Sequence, residues 1–93
     1  MKPVHPGEIL KDELIEMKVN ANQLARALKV PANRISAILK GQRSITADTA
    51  LRLARYFGTS PEFWMNLQQG YELRSAERES GKDIRKAISP RAA

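Results

Sequence analysis

Apolar residues recur at helical spacing in five blocks along this chain, each closed by a short polar or glycine/proline break. The central pair is the most regular. Over Asn20–Gly41, NANQLARALKVPANRISAILKG, the residues Leu24, Ala25 and Leu28 share one face of a first segment. Ile35, Ile38 and Leu39 share one face of a second, and Lys29-Val30-Pro31 breaks the pattern between them. This predicts a helix-turn-helix. Ala25 supplies the small side chain needed where two helices cross steeply over a short turn. Val30 is expected to plug that turn, Pro31 to occupy the start of the second helix, where no N–H is required, and Gly41 to end it as a left-handed cap.

The flanking blocks supply a scaffold. A first helix opens at His5-Pro6-Gly7-Glu8, turns Ile9, Leu10, Leu14 and Met17 inward and ends near Lys18; His5 either caps its start or faces solvent. A fourth runs from Thr46, as N-cap, to Phe57, with Ala50, Leu53 and Ala54 on its inner face and Gly58 as its stop. Ser60 and Pro61 start a fifth that carries Phe63, Trp64, Leu67, Tyr71 and Leu73. From Arg74 the pattern becomes densely charged, and beyond Gly81 only Ile84 and Ile88 are large and apolar. The expectation is an all-α, five-helix domain over residues 1–79 and a flexible tail over 80–93.

The second central helix keeps Ala32, Asn33, Arg34, Ser36, Ala37 and Lys40 outside its apolar stripe, with no acid among them. Such a short, hydrogen-bonding, cationic face suits a DNA major groove, where Asn and Arg reach base edges at two points and an acid meets phosphate repulsion. The plainer alternative is a solvated face on a helical hairpin. At the borders, Asn22 and Gln23 can offer side-chain amides to phosphate, and Arg43 beside the helix start at Thr46 forms a second phosphate corner, unless Arg43 is merely a solvated loop cation. Trp64, Leu67 and Tyr71 lie along one side of the fifth helix, either as core or as a self-association surface.

Charge sharpens the nucleic-acid reading. Of the formal net charge of +6, residues 31–60 hold five cations against one acid, whereas residues 1–30 hold five against four and residues 61–93 six against five. A cationic focus centred on the reading helix attracts a polyanion in a salt-dependent way. The absence of cysteine removes disulfides, thiol nucleophiles and thiolate metal sites, and the single histidine, His5, has no partner for a metal cage or a general base. Neither an enzyme nor a metal or cofactor site is expected. No apolar run has the length of a membrane span and the opening residues lead into no signal-type core, so a cytoplasmic location is expected.

With these residues in view, the chain resembles the Xre-type five-helix DNA-binding domains, in the branch of HigA/VapI antitoxins. HPGEIL at 5–10, LARALKV at 24–30, ISAILKGQRSITADTALRLARYFG at 35–58 and SPEFWMNLQQGYEL at 60–73 carry the likeness, which covers about residues 5–79. It implies a homodimer that represses its own operon from a palindromic operator and neutralises a RelE/HigB-like, ribosome-dependent mRNA-cleaving toxin. It places base reading on Asn33, Arg34, Ser36 and Ala37, and phosphate contact on Gln23, Lys40, Arg43 and Thr46. Two positions depart from the family pattern. Lys29 stands where the turn often has glycine, and Ala37 stands where a longer polar side chain often reads a base, leaving it a thymine methyl. A stand-alone transcriptional regulator would use the same DNA face. A protein-binding adaptor would instead use the acidic stripe Glu8, Asp12 and Glu16 or the Trp64 surface. That stripe, with Glu72, Glu77 and Glu79, is also the candidate contact for a basic toxin.

Overall fold

A computed structural model describes residues 2–92, and the described residues are helical without any strand. Five helices follow the predicted order: α1 (Pro6–Met17), α2 (Ala21–Leu28), α3 (Ala32–Leu39), α4 (Ala47–Phe57) and α5 (Pro61–Ala76). Their ends have local chemical causes. His5 Nδ1 accepts the Gly7 N–H at 2.9 Å to cap α1. At α2 the cap is reciprocal: Asn20 Oδ1 accepts from the Gln23 main chain at 2.8 Å while Gln23 Oε1 accepts from the Asn20 main chain at 2.9 Å. Ser60 accepts from the Phe63 N–H to start α5. Pro31 sits one position earlier than expected, as the N-cap of α3, so Ala32 is the first helical residue.

Leu10 and Leu14 of α1, Leu24, Ala25 and Leu28 of α2, Ile35 and Ile38 of α3 and Ala50, Leu53 and Ala54 of α4 form one core with Ile45 and Trp64. Burying each large aliphatic member contributes about 1.5–3 kcal/mol, so the two isoleucines of α3 fix its roll about its own axis and thereby decide which residues face outward. Gly7 lets α1 approach α3 from behind, because a Cβ there would collide with the Ile38 carbonyl oxygen. Gly41 follows α3 at φ 74°, with its N–H bonded to the Ile38 carbonyl at 3.0 Å, as the left-handed cap expected of it.

Two expectations change and one open alternative is narrowed. Met17 is exposed, because α1 ends in a left-handed Lys18 before its last turn can reach the core. Trp64, left open between core and self-association surface, is 1% exposed; it packs against Phe57 at a ring separation of 5.6 Å, and its Nε1 donates to Thr59 Oγ1 at 2.9 Å. Its role is core packing, since a small helical domain needs that ring to close the space under α4 and α5. Finally, the chain stays helical past residue 80: α5 passes through a π-helical turn, Glu77–Gly81, into α6 (Lys82–Ala87) without leaving right-handed backbone angles. An ion pair between Glu77 and Arg85, eight residues apart, spans that turn. Residues 88–92 have no regular structure. The extended α5–α6 rod accounts for the principal extents of 52 × 24 × 22 Å.

Candidate nucleic-acid interface

With Ile35 and Ile38 turned into the core, α3 presents Ala32 and Asn33 to solvent, with Ser36 and Ala37 half-exposed beside them and Lys40 exposed at its C-cap. Among the described residues no hydrogen bond occupies the Asn33 side-chain amide, so both its donor and its acceptor stay available for the two-point contact that an adenine edge offers. The Ser36 hydroxyl leans back on the Asn33 carbonyl at 3.4 Å, a long bond that a base could replace. Ala37, with only a methyl group, lets the helix approach closely.

Arg34 is held differently from the expectation. Its Nη1 donates to Asp48 Oδ2 at 2.7 Å, drawing the guanidinium across to α4, and its side chain retains 23% exposure. The same Asp48 oxygen accepts Arg52 Nε at 2.9 Å, and Arg52 Nη1 reaches the Leu28 carbonyl at the end of α2 at 2.8 Å. One carboxylate oxygen therefore joins the reading helix, the helix behind it and the turn between α2 and α3. The hydrogen bonds from Arg52 and then Arg34 hold the Asp48 carboxyl below its ordinary range. Arg34 Nε is buried and has no partner. Asp48 and Arg52 stand four apart and could be paired from sequence, but the fourteen-residue link to Arg34 has no periodic signature.

The border positions expected from sequence are all exposed. Asn22 and Gln23 are exposed on the first turn of α2. Because the capping box consumes the Gln23 carbonyl oxygen, its NH2 is the end left to donate to a phosphate. Arg43 is exposed in the loop between α3 and α4. Thr46 takes the N-cap position of α4, yet its hydroxyl makes no main-chain cap bond; it lies 3.5 Å from the Thr49 hydroxyl, leaving the first α4 amides open.

Two supports of this border were not legible beforehand. His5 is only 8% exposed; beyond capping α1 its ring lies beside Gly41 at the end of α3 and meets Tyr71 edge-to-face at 4.9 Å. Gln68, buried in α5, accepts the Ile45 N–H at 2.8 Å and donates to Glu72 at 3.0 Å. A glutamine one turn after Trp64 on an apolar stripe was the available signal. Tyr71 and Leu67 are both half-buried, Leu67 against the core. Among the described residues no group of acidic, histidine or cysteine side chains could hold a metal ion, and no helix is long and apolar enough to cross a membrane.

Two packed helices joined by a short turn, the outer one polar and acid-free with cationic borders, define the class of helix-turn-helix DNA-binding domains. Residues 10–64 match the helix-turn-helix family. A curated relative, virulence-associated protein I of Dichelobacter nodosus, is 50% identical over 80 residues, which span 85% of this chain and 74% of that protein. An addiction-module antidote protein of the HigA family from Coxiella burnetii has a TM-score of 0.94 at 59% identity, covering 98% of this chain and 100% of that one. The Pseudomonas aeruginosa antitoxin HigA, solved with the higBA promoter, has a TM-score of 0.95 at 51% identity over 98% and 100% of the two chains. The chain belongs to the Xre-type helix-turn-helix family, in its HigA/VapI antitoxin branch.

Proposed function

We propose that this protein is a sequence-specific DNA-binding antitoxin. As a homodimer it binds a palindromic operator and represses its own operon, and it neutralises a RelE/HigB-like mRNA-cleaving toxin. The observation that carries the DNA half is the acid-free outer face of α3, with Asn33 unencumbered and Lys40 and Arg43 at its edge, on a body that superposes on a HigA solved with promoter DNA. Asn33, Ser36 and Ala37 read bases, with Arg34 contributing the edge of its guanidinium that Asp48 leaves free. Asn22, Gln23, Lys40, Arg43 and Thr46 hold phosphates. Two copies would present their α3 helices about 34 Å apart, one turn of the duplex, which makes the operator an inverted repeat.

With Trp64 committed to the core, self-association falls to the α5–α6 rod, where Leu73 and Ile84 are exposed and Leu67 and Tyr71 lie at the base. The exposed acidic stripe Glu8, Asp12 and Glu16 on α1 is the face for a basic toxin, although Glu8 and Asp12 share a cleft with Lys40 at the end of α3. Glu72 and Glu77 are less free for that task, being bonded to Gln68 and Arg85.

Two measurements test the proposal. Titrating the promoter segment upstream of the operon in a gel-shift assay should give saturable binding that outcompetes a scrambled duplex; equal affinity for both would end the repressor reading. Co-expression with the product of the neighbouring small basic reading frame should restore growth and yield a co-purifying complex. Operator binding without rescue would identify a stand-alone regulator instead.

A further inference from the structure

We propose that Asp48 is a specificity-determining residue for DNA recognition: by holding Arg34 against α4 it keeps a reading-helix cation from acting as a general phosphate binder and offers its free edge in one orientation. This rests on the DNA-binding reading above and adds to it a residue outside the helix-turn-helix itself.

The geometry supports this in three ways. First, Asp48 Oδ2 accepts from Arg34 at 2.7 Å and from Arg52 at 2.9 Å, so the carboxylate is itself fixed by a second guanidinium that is anchored on the Leu28 carbonyl. An acceptor held at both ends positions its donor; a lone surface ion pair would not. Second, the Asp48 side chain is 56% exposed at the first turn of α4, beside the proposed phosphate corner. A carboxylate there opposes phosphate on every sequence alike, so it lowers general affinity while leaving base discrimination to the helix it orients. Third, Arg34 Nε is buried without a partner. The side chain is therefore drawn into this position by Asp48 at the expense of one of its own donors, and without the acid it has reason to leave.

An arginine freed from that restraint is a flexible cation that meets phosphate in any register. The consequence is a trade of selectivity for general affinity. It is read as the ratio of affinities for promoter DNA and for a scrambled duplex of the same length and composition, with the salt dependence of each.

The test compares wild type, Asp48→Asn, Arg34→Ala and the double variant in fluorescence-anisotropy titrations on those two duplexes, with thermal melting alongside. Asp48→Asn should bind the scrambled duplex more tightly, with a salt slope steeper by about one, and its ratio should fall by about tenfold. In the Arg34→Ala background Asp48→Asn should lose most of its effect on the ratio, because the acid acts through that arginine. Asp48→Glu, which keeps the acceptor, should stay closer to wild type than Asp48→Asn. An unchanged ratio for Asp48→Asn, or effects of the two substitutions that simply add, would overturn the assignment. Should Asp48→Asn melt too early to titrate, the Asp48→Glu ratio against Arg34→Ala decides by the same criterion. A wild-type ratio of one would instead remove the sequence-specific repressor reading beneath it.

Discussion

Helices α3 and α5 divide their residues in opposite ways. In the eight residues of α3, side-chain type and position agree: isoleucines face in, and the amide, guanidinium, hydroxyl and methyl groups face out or to the edge. In the sixteen residues of α5 they disagree. Trp64 and Gln68 are its buried members, while Phe63 and Leu73 stand exposed and Leu67 and Tyr71 sit halfway. The difference follows from what each helix rests on. α3 is wedged between α1 and α2, so one side is fully enclosed and hydrophobic burial alone sets its orientation. α5 crosses the base of the domain, packs chiefly against α4 and then leaves the body, so only its first half has a core to face.

The comparison breaks most sharply at Trp64. Trp64→Ala should cost about 3–5 kcal/mol of stability through the cavity it leaves, whereas its exposed neighbour Phe63→Ala should cost under about 1 kcal/mol. Urea denaturation followed at two protein concentrations separates core from interface. A Trp64→Ala chain that keeps its monomer stability but no longer self-associates would return the tryptophan to the surface.

Gln68 comes next, since its amide is the only partner shown for the buried Ile45 N–H. Gln68→Leu should cost about 1–3 kcal/mol from that unsatisfied donor and, by loosening the residue before Thr46, weaken promoter binding as well. Loss of stability with full DNA affinity would show that α5 does not position the α4 corner. Lys29→Gly should do the opposite on a smaller scale. Lys29 holds φ 61° in the α2–α3 turn, a left-handed angle that disfavours a residue with a Cβ, and relief of about 1 kcal/mol should raise the melting temperature. A lowered melting temperature would mean that the lysine side chain supplies more than the strain removes.

How far the sequence carried follows the same division. The five helices, their caps at Asn20 and Ser60, the glycine after α3 and the outward set on α3 were legible because each depends on residues within one or two turns. The Arg34–Asp48–Arg52 bridge and the Gln68–Ile45 bond join residues fourteen and twenty-three apart, and pattern does not record such pairings. The role of Trp64 was undecidable from periodicity, since an aromatic on one side of a helix suits a core and an interface equally. The helical extension to Ala87 escaped the composition argument because adding residues to a helix already nucleated in α5 costs little, so a charged segment with no apolar face to bury can continue it.

The smallest effect concerns acid. Burial lowers the pKa of His5 from its ordinary 6.5, against opposing contributions from Glu8 and from the Arg43 main chain. A histidine whose folded-state pKa lies below its unfolded value binds fewer protons in the folded chain, so its stabilising contribution is complete above about 6.5 and is lost as pH falls through the folded value. The structural cause is visible: a proton on Nδ1 removes the acceptor for the Gly7 N–H and brings charge under Tyr71. Asp48, with its pKa also lowered, shifts stability only at more acidic pH, outside this window. Wild type should therefore lose stability as pH falls below about 6.5, and His5→Asn, which keeps an N-cap acceptor but cannot titrate there, should show a flatter profile. Because the same ring lies beside Gly41, at the start of the loop that carries Arg43, wild-type affinity for a scrambled duplex should change across that window differently from the variant's. Parallel profiles for the two proteins would separate the α1 cap from the DNA border and leave His5 a local cap alone.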